Sequence, residues 1–192
     1  MHATLLPLLL TARHPRALIQ LTLQLLSEPA AATPTSSSAL APSHSHSHLP
    51  ALPHLLHAAL LALLAANLPL RGTLTAALVG VDAAGRAVAF PFSSSSSSSS
   101  ASASPLPRAG WESLHVVAFD GEGGMVLAEG EGAFSEEEWL EVVRVAEGVC
   151  GVGMVMEEME ESGGPRQRGL RDWLRGVVEE DVTRAGRWRG SL

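Results

Sequence analysis

Residues 54–67, HLLHAALLALLAAN, are apolar on nearly every side of the helix they would form. Such a helix has no solvent face, so the rest of the chain must cover it with a sheet or with other helices. It is not a membrane span. Leu55 to Ala66 is the longest apolar stretch, it contains His57, and Asn67 and Pro69 close it short of the ~20 residues a bilayer requires. The expectation is a buried helix packed on a sheet.

The sheet is legible directly downstream. TLTAALVGV and RAVAF flank DAAG, whose Asp and Gly suit a turn, which predicts a β-hairpin. SLHVVAFD and GMVLAEG flank GEG and predict a second one. A helix follows, with Ser135 as its N-cap, Glu138 completing a capping box, and Phe134 and Trp139 at the staple positions. Trp139, Val142, Val143, Ala146 and Val149 recur at helical spacing and face the core. Glu136, Glu137 and Glu138 occupy the first turn, where the helix dipole favours acids, so this cluster is structural and not a metal site.

Upstream, residues 3–13 predict a short Leu-rich helix that Pro15 forbids from continuing. In ALIQLTLQLLSE, Leu18, Gln20, Thr22 and Gln24 alternate with Ile19, Leu21, Leu23 and Leu25. Period two argues for a strand, with helix open as the alternative. Low-complexity inserts at 29–53 and 93–109, rich in Ser, Ala and Pro, bury too little apolar surface to order themselves and read as flexible loops. Residues 151–192 form an acidic, then Arg-rich extension, helical in part. The order of helix, strand, helix, hairpin, hairpin, helix and tail gives an α+β class with helices covering a mixed or antiparallel sheet.

Charge narrows the partners. All 13 basic residues are Arg, which in an Ala-, Gly- and Pro-rich chain reads as GC-rich coding rather than a functional choice. The net charge of −7 concentrates in residues 110–161, where fourteen acids face Arg144 alone. The segments 1–109 and 162–192 each carry +3. A chain with this balance is poorly suited to gripping nucleic acid unaided. The single Cys150 rules out an internal disulfide and suits a reducing compartment. MHATLLPLLLTARHPR lacks a basic leader and is broken by Pro7, so it reads as the start of a soluble intracellular protein and not as a secretion signal.

No motif builds an enzyme. His44, His46 and His48 alternate with Ser, and His54 and His57 lie three apart, without the held, converging scaffold a metal requires. There is no G-x-S-x-G elbow, GVCGVG closes a helix, and DGEGG is a hairpin turn. Catalytic residues, metal ligands and cofactors are therefore assigned to none.

Four stretches carry a resemblance. They are the helix at 3–13, RHPRALIQLTLQLLSE, LLHAALLALLAANLPLRGTLTAALVGVD, and SLHVVAFDGEGGMVLAEGEGAFSEEEWLEVVRVAEGV. Together they cover most of residues 3–150 and resemble the RNase PH family, most closely the fungal ring subunits of the eukaryotic RNA exosome. The resemblance implies an RNase PH-like (ribosomal protein S5 domain 2-like) α+β fold over residues 1–150, with the family's N-terminal strands missing by truncation. Catalytic members hold phosphate with an Arg-bearing loop before the buried helix, and carry acids after the strand matched by RAVAF. Here PAAATPTSSSALAPSHSHSHLPALP contains no Arg and PFSSSSSSSS contains no acid. The resemblance thus implies a non-catalytic ring subunit supporting rRNA processing and 3′-to-5′ RNA degradation, in the nucleus, nucleolus and cytoplasm. Its implied partners are other RNase PH-like ring subunits, cap subunits and RNA passing through the assembled ring, with no membrane. Arg13, Arg16 and Arg71 are its candidates for RNA or subunit contact. Two readings stay open beside it: an active phosphate-dependent 3′-to-5′ exoribonuclease, and a non-functional truncated fragment.

Overall fold

The computed structural model describes residues 1–26, 48–89, 111–152 and 169–186. Most of the insert expected at 29–53, all of the one at 93–109, His44, His46 and the acidic run 153–168 lie outside the described residues.

Strands β1 (Leu74–Val81), β2 (Ala87–Ala89), β3 (Ser113–Asp120) and β4 (Met125–Gly132) form one sheet in the spatial order β2-β1-β3-β4. Every pairing is antiparallel. β1 and β3 pair along their whole length, from Leu74 opposite Asp120 to Val81 opposite Ser113, and both are buried on both faces. Both expected hairpins are present, each closed by an aspartate. Asp82 Oδ1 accepts the N–H groups of Ala84 and Arg86, and Gly85 takes the left-handed φ of 72° that the turn requires. Asp120 Oδ1 accepts from Glu122 and Gly124 in the same manner.

Because side chains alternate across a strand, the central pair feeds two cores. On one face Leu74, Ala76 and Ala118 meet Leu56, Ala59 and Leu60 of α2 (Leu52–Ala65). On the other, Ala77, Val79, Val81, Val117 and Phe119 meet Val142, Ala146 and Cys150 of α3 (Glu136–Cys150). The α+β class and the helix-covered sheet are thus as the sequence implies, and within the described residues the sheet is antiparallel throughout. The capping box of α3 is formed: Glu138 Oε2 accepts the Ser135 N–H at 2.6 Å, and Ser135 Oγ accepts the Glu138 N–H at 3.3 Å. That backbone hydrogen bond from Ser135 holds the Glu138 carboxyl below its ordinary pKa. α4 (Leu170–Gly186) caps the layers, with Leu174 in the α2-side core and Leu170 against the α3-side core.

Two expectations are corrected at the N-terminus. The helix at 3–13 is broken into α1 (His2–Leu5) and single 3-10 turns at Leu6–Leu8 and Thr11–Arg13. A tertiary bridge interrupts it: Leu9 extends to pair with Leu70, Leu10 N–H donates to Pro69 O, and Arg71 N–H donates to Leu8 O at 2.7 Å. ALIQLTLQLLSE, residues 17–28, reads as a strand with helix as the alternative; over 17–26, the part described, it joins no ladder among the described residues. Ile19 and Leu23 are half-buried, whereas Leu18 and Leu26 are each 88% exposed. Alternation selects which side chains share a face, but a strand also needs an edge to pair with.

Leu60→Ala, at a fully buried position between α2 and the sheet, is expected to lower unfolding free energy by ~2–5 kcal/mol in urea titration. Leu140→Ala, on the same titration, is expected to cost less than ~0.5 kcal/mol because Leu140 is 62% exposed.

Candidate functional site

Among the described residues, β4 is bordered by a strand on one side only. β3 pairs with its inner edge, and among the described residues no strand pairs with its outer edge. Its side chains are exposed along nearly the whole strand, including the apolar Met125 and Val126 and the acids Glu129 and Glu131. A sheet edge of this length is a ready template for another extended chain.

The inner side of β4 rests on His115. Gly130 has no side chain because the imidazole lies against it: a Cβ there would sit 2.6 Å from His115 Nδ1. The ring stacks edge-on to Phe134 with centroids 4.6 Å apart, lies 5.6 Å from Trp139, and its Nε2 is 2.9 Å from Ser113 Oγ. Burial pushes the His115 pKa below its ordinary value, with the nearby Glu138 carboxylate opposing the shift. A Ser–His pair at this separation has the spacing of a nucleophile and its base. Both residues are fully buried, however, so no substrate reaches the hydroxyl. The pair is packing, and Gly130 and Phe134 in the sequence were its only signals.

His57 has a comparable task on the opposite face. β2 covers β1 only over Val79–Val81, and further along the strand the Ala76 N–H donates to His57 Nε2 at 2.9 Å. Burial, helped by neighbouring His54, pushes the His57 pKa down to about 4, so the ring is neutral and its lone pair is committed to the backbone. That commitment removes it as a metal ligand. His57, His54, Pro53, Leu170 and Trp173 line a shallow cleft between α2 and α4. Among the described residues, no three His, Cys, Asp or Glu side chains are grouped to hold a metal ion.

Arg13, Arg16 and Arg71 are all exposed. The bridge between residues 8–10 and 69–71 brings the segments of Arg13 and Arg71 side by side, while Arg16 sits at a left-handed φ of 61°. None of the three makes an ion pair or side-chain hydrogen bond among the described residues. The other described arginines all do: Arg86 with Asp82, Arg144 with Glu141, Arg175 with Glu179, Arg184 with Glu180, and Arg171 with the Gly121 carbonyl.

No protein-family model matches the chain, and no curated protein matches it. Among solved structures it is similar to the crystal structure of rice (Oryza sativa) Rrp46, with 16% identity and a TM-score of 0.45 over 67% of this chain and 47% of that one. The chain therefore spans about half the length of the rice protein's chain.

Stability should depend on pH through the buried histidines. The unfolded state binds a proton near pH 6.5 that the native His57 refuses until about 4, so stability is full above pH 6.5 and falls as the pH drops toward 4. His57→Phe is expected to flatten part of that slope in thermal melts. At pH 7.5 it is expected to cost ~1–3 kcal/mol, because the Ala76 N–H loses its acceptor.

Proposed function

We propose that this chain is a structural, non-catalytic ring subunit of the RNA exosome, of the type known as ribosomal RNA-processing protein 46. In this role it docks against neighbouring RNase PH-like subunits and supports rRNA processing and 3′-to-5′ RNA degradation carried out elsewhere in the assembly. The observation that carries the reading is the outer edge of β4, eight residues long, exposed along nearly all of its length and paired with no strand among the described residues, on a sheet whose centre is covered by α2 and α3. It agrees with the sequence resemblance, because the matched stretches supply the layers behind that edge: LLHAALLALLAANLPLRGTLTAALVGVD builds α2 and β1, and SLHVVAFDGEGGMVLAEGEGAFSEEEWLEVVRVAEGV builds β3, β4 and α3.

Several reactive side chains among the described residues are engaged in packing or backbone hydrogen bonds. Ser113 and His115 are buried together, His57 holds a backbone N–H, and Asp82 is tied to the backbone and guanidinium of Arg86. Burial pushes the Cys150 thiol up to about 11, so it stays protonated. Arg13, Arg16 and Arg71, exposed and without an ion pair or side-chain hydrogen bond among the described residues, are the candidates for contact with RNA or a neighbouring subunit. In this reading the cap subunits, the RNA in the channel, and a nuclear, nucleolar and cytoplasmic location come with the assembly.

A tagged pull-down from the native cell is expected to recover RNase PH-like ring subunits in near-equal amounts. Recovery of chaperones alone would sink the reading in favour of a non-functional fragment. Incubation of the purified chain with 3′-extended RNA, phosphate and magnesium is expected to release no nucleoside diphosphate, and release would establish an exoribonuclease instead.

A further inference from the structure

The ring of His57 joins three elements. It belongs to α2, its Nε2 accepts the Ala76 N–H of β1 at 2.9 Å, and it meets the Trp173 indole of α4 with centroids 6.2 Å apart and planes inclined by 55°. Pro53, His54 and Leu170 complete the walls of the cleft there. The rest of the attachment of α4 lies close by. Leu174 is buried in the α2-side core, and the Arg171 guanidinium donates to the Gly121 carbonyl. Beyond Leu174 most of α4 is exposed, so its hold on the layers is concentrated at residues 170–174.

An imidazole nitrogen that accepts a backbone N–H carries a bare lone pair, which fixes the neutral ring with its proton on Nδ1. A second proton goes to Nε2 and sets two N–H donors head to head across the same 2.9 Å. The proton and the bond to Ala76 exclude one another, so the charged ring turns away from β1 toward the cleft that it lines, against Trp173 and Leu170. Its surroundings do nothing to hold it in place. β1 carries no ionisable side chain, and His54 on α2 opposes a charge on the ring. On α4, Arg171 and Arg175 are engaged with the Gly121 carbonyl and Glu179, and Asp172 is exposed. Among the described residues, His54 alone acts on the ring through its charge.

We propose that His57 is the catch of an acid-operated release: a proton on Nε2 breaks the bond to Ala76, swings the ring into the cleft and detaches α4 from α2 and β1. The released form uncovers the apolar surface that Leu174 covers in the α2-side core, so a lower pH opens a face that neutral pH keeps shut. This differs from acid loss of global stability, because α4 parts from a sheet that stays folded. Linkage sets the direction. The docked ring refuses a proton until about pH 4, and the released ring returns toward its ordinary 6.5. Docking is therefore at full strength above pH 6.5, and the ratio of docked to released α4 falls about thirtyfold by pH 5.

The experiment is hydrogen exchange of the full chain between pH 7.5 and pH 5, corrected for the intrinsic pH dependence of exchange. Protection over 170–186 is expected to fall about thirtyfold, while protection over 136–150 in α3 holds. In His57→Gln the side-chain oxygen accepts the Ala76 N–H without titrating, and the fall is expected to vanish. Trp173→Ala removes a ring that is 46% exposed, opens the cleft and leaves Leu174 in place. In that variant the His57 titration midpoint, followed by NMR, is expected to rise from about 4 toward 6.5. Far-UV circular dichroism at each pH establishes that the chain remains folded. Protection of α4 that ignores pH, that falls equally in His57→Gln, or that falls in step with α3 overturns the proposal, and so does an unmoved His57 midpoint in Trp173→Ala.

Discussion

Everything in this molecule hangs on the eight-residue antiparallel pairing of β1 with β3. Each strand is buried on both faces, so the ladder supplies, along the edge they share, backbone hydrogen bonds that water cannot. Its alternation then assigns each side chain to the α2 core or the α3 core. A slip of one residue would exchange the two cores wholesale, setting Val117 and Phe119 against α2 and Ala118 against α3. The aspartate-closed turns at Asp82 and Asp120 hold the flanking pairs, β1 with β2 and β3 with β4, to that central ladder.

What the sequence made legible was local. The capping box of α3, the Asp–Gly turns and the apolar circumference of α2 act over a few residues, and each has a physical signature in the string itself. What it left dark was tertiary. Nothing around Leu9 announces that it will leave its helix to pair with Leu70, because the partner lies some sixty residues away and the bridge outweighs local propensity. Residues 17–26 show the converse: a strand pattern that pairs with no strand among the described residues. The candidate edge itself was visible only as a hairpin arm, since being outermost is a property of strand order.

The histidines illustrate how structure absorbs reactive groups. His57 lies in an apolar helix because a stretch of β1 beyond the reach of β2 needs an acceptor. His115 lies in a central strand because Gly130 leaves room for its ring. In both, the cost of burying a charge lowers the pKa, and both rings are spent on geometry rather than on proton transfer. A titratable side chain in a sequence marks chemistry only when its lone pair remains uncommitted.

The long connection from Ala89 of β2 to Ser113 of β3 joins two strands that flank β1 on opposite sides. The ends of that connection are held by β1, not by the connection itself. Closing a loop costs an entropy that grows only with the logarithm of its length, about 0.6 kcal/mol for each doubling. With both ends held in this way, sequence separation between β1 and β3 weighs little on equilibrium stability and more on the time β3 needs to find β1. Tolerance of distance along the chain is thus a property of the sheet order, and its toll falls on folding speed.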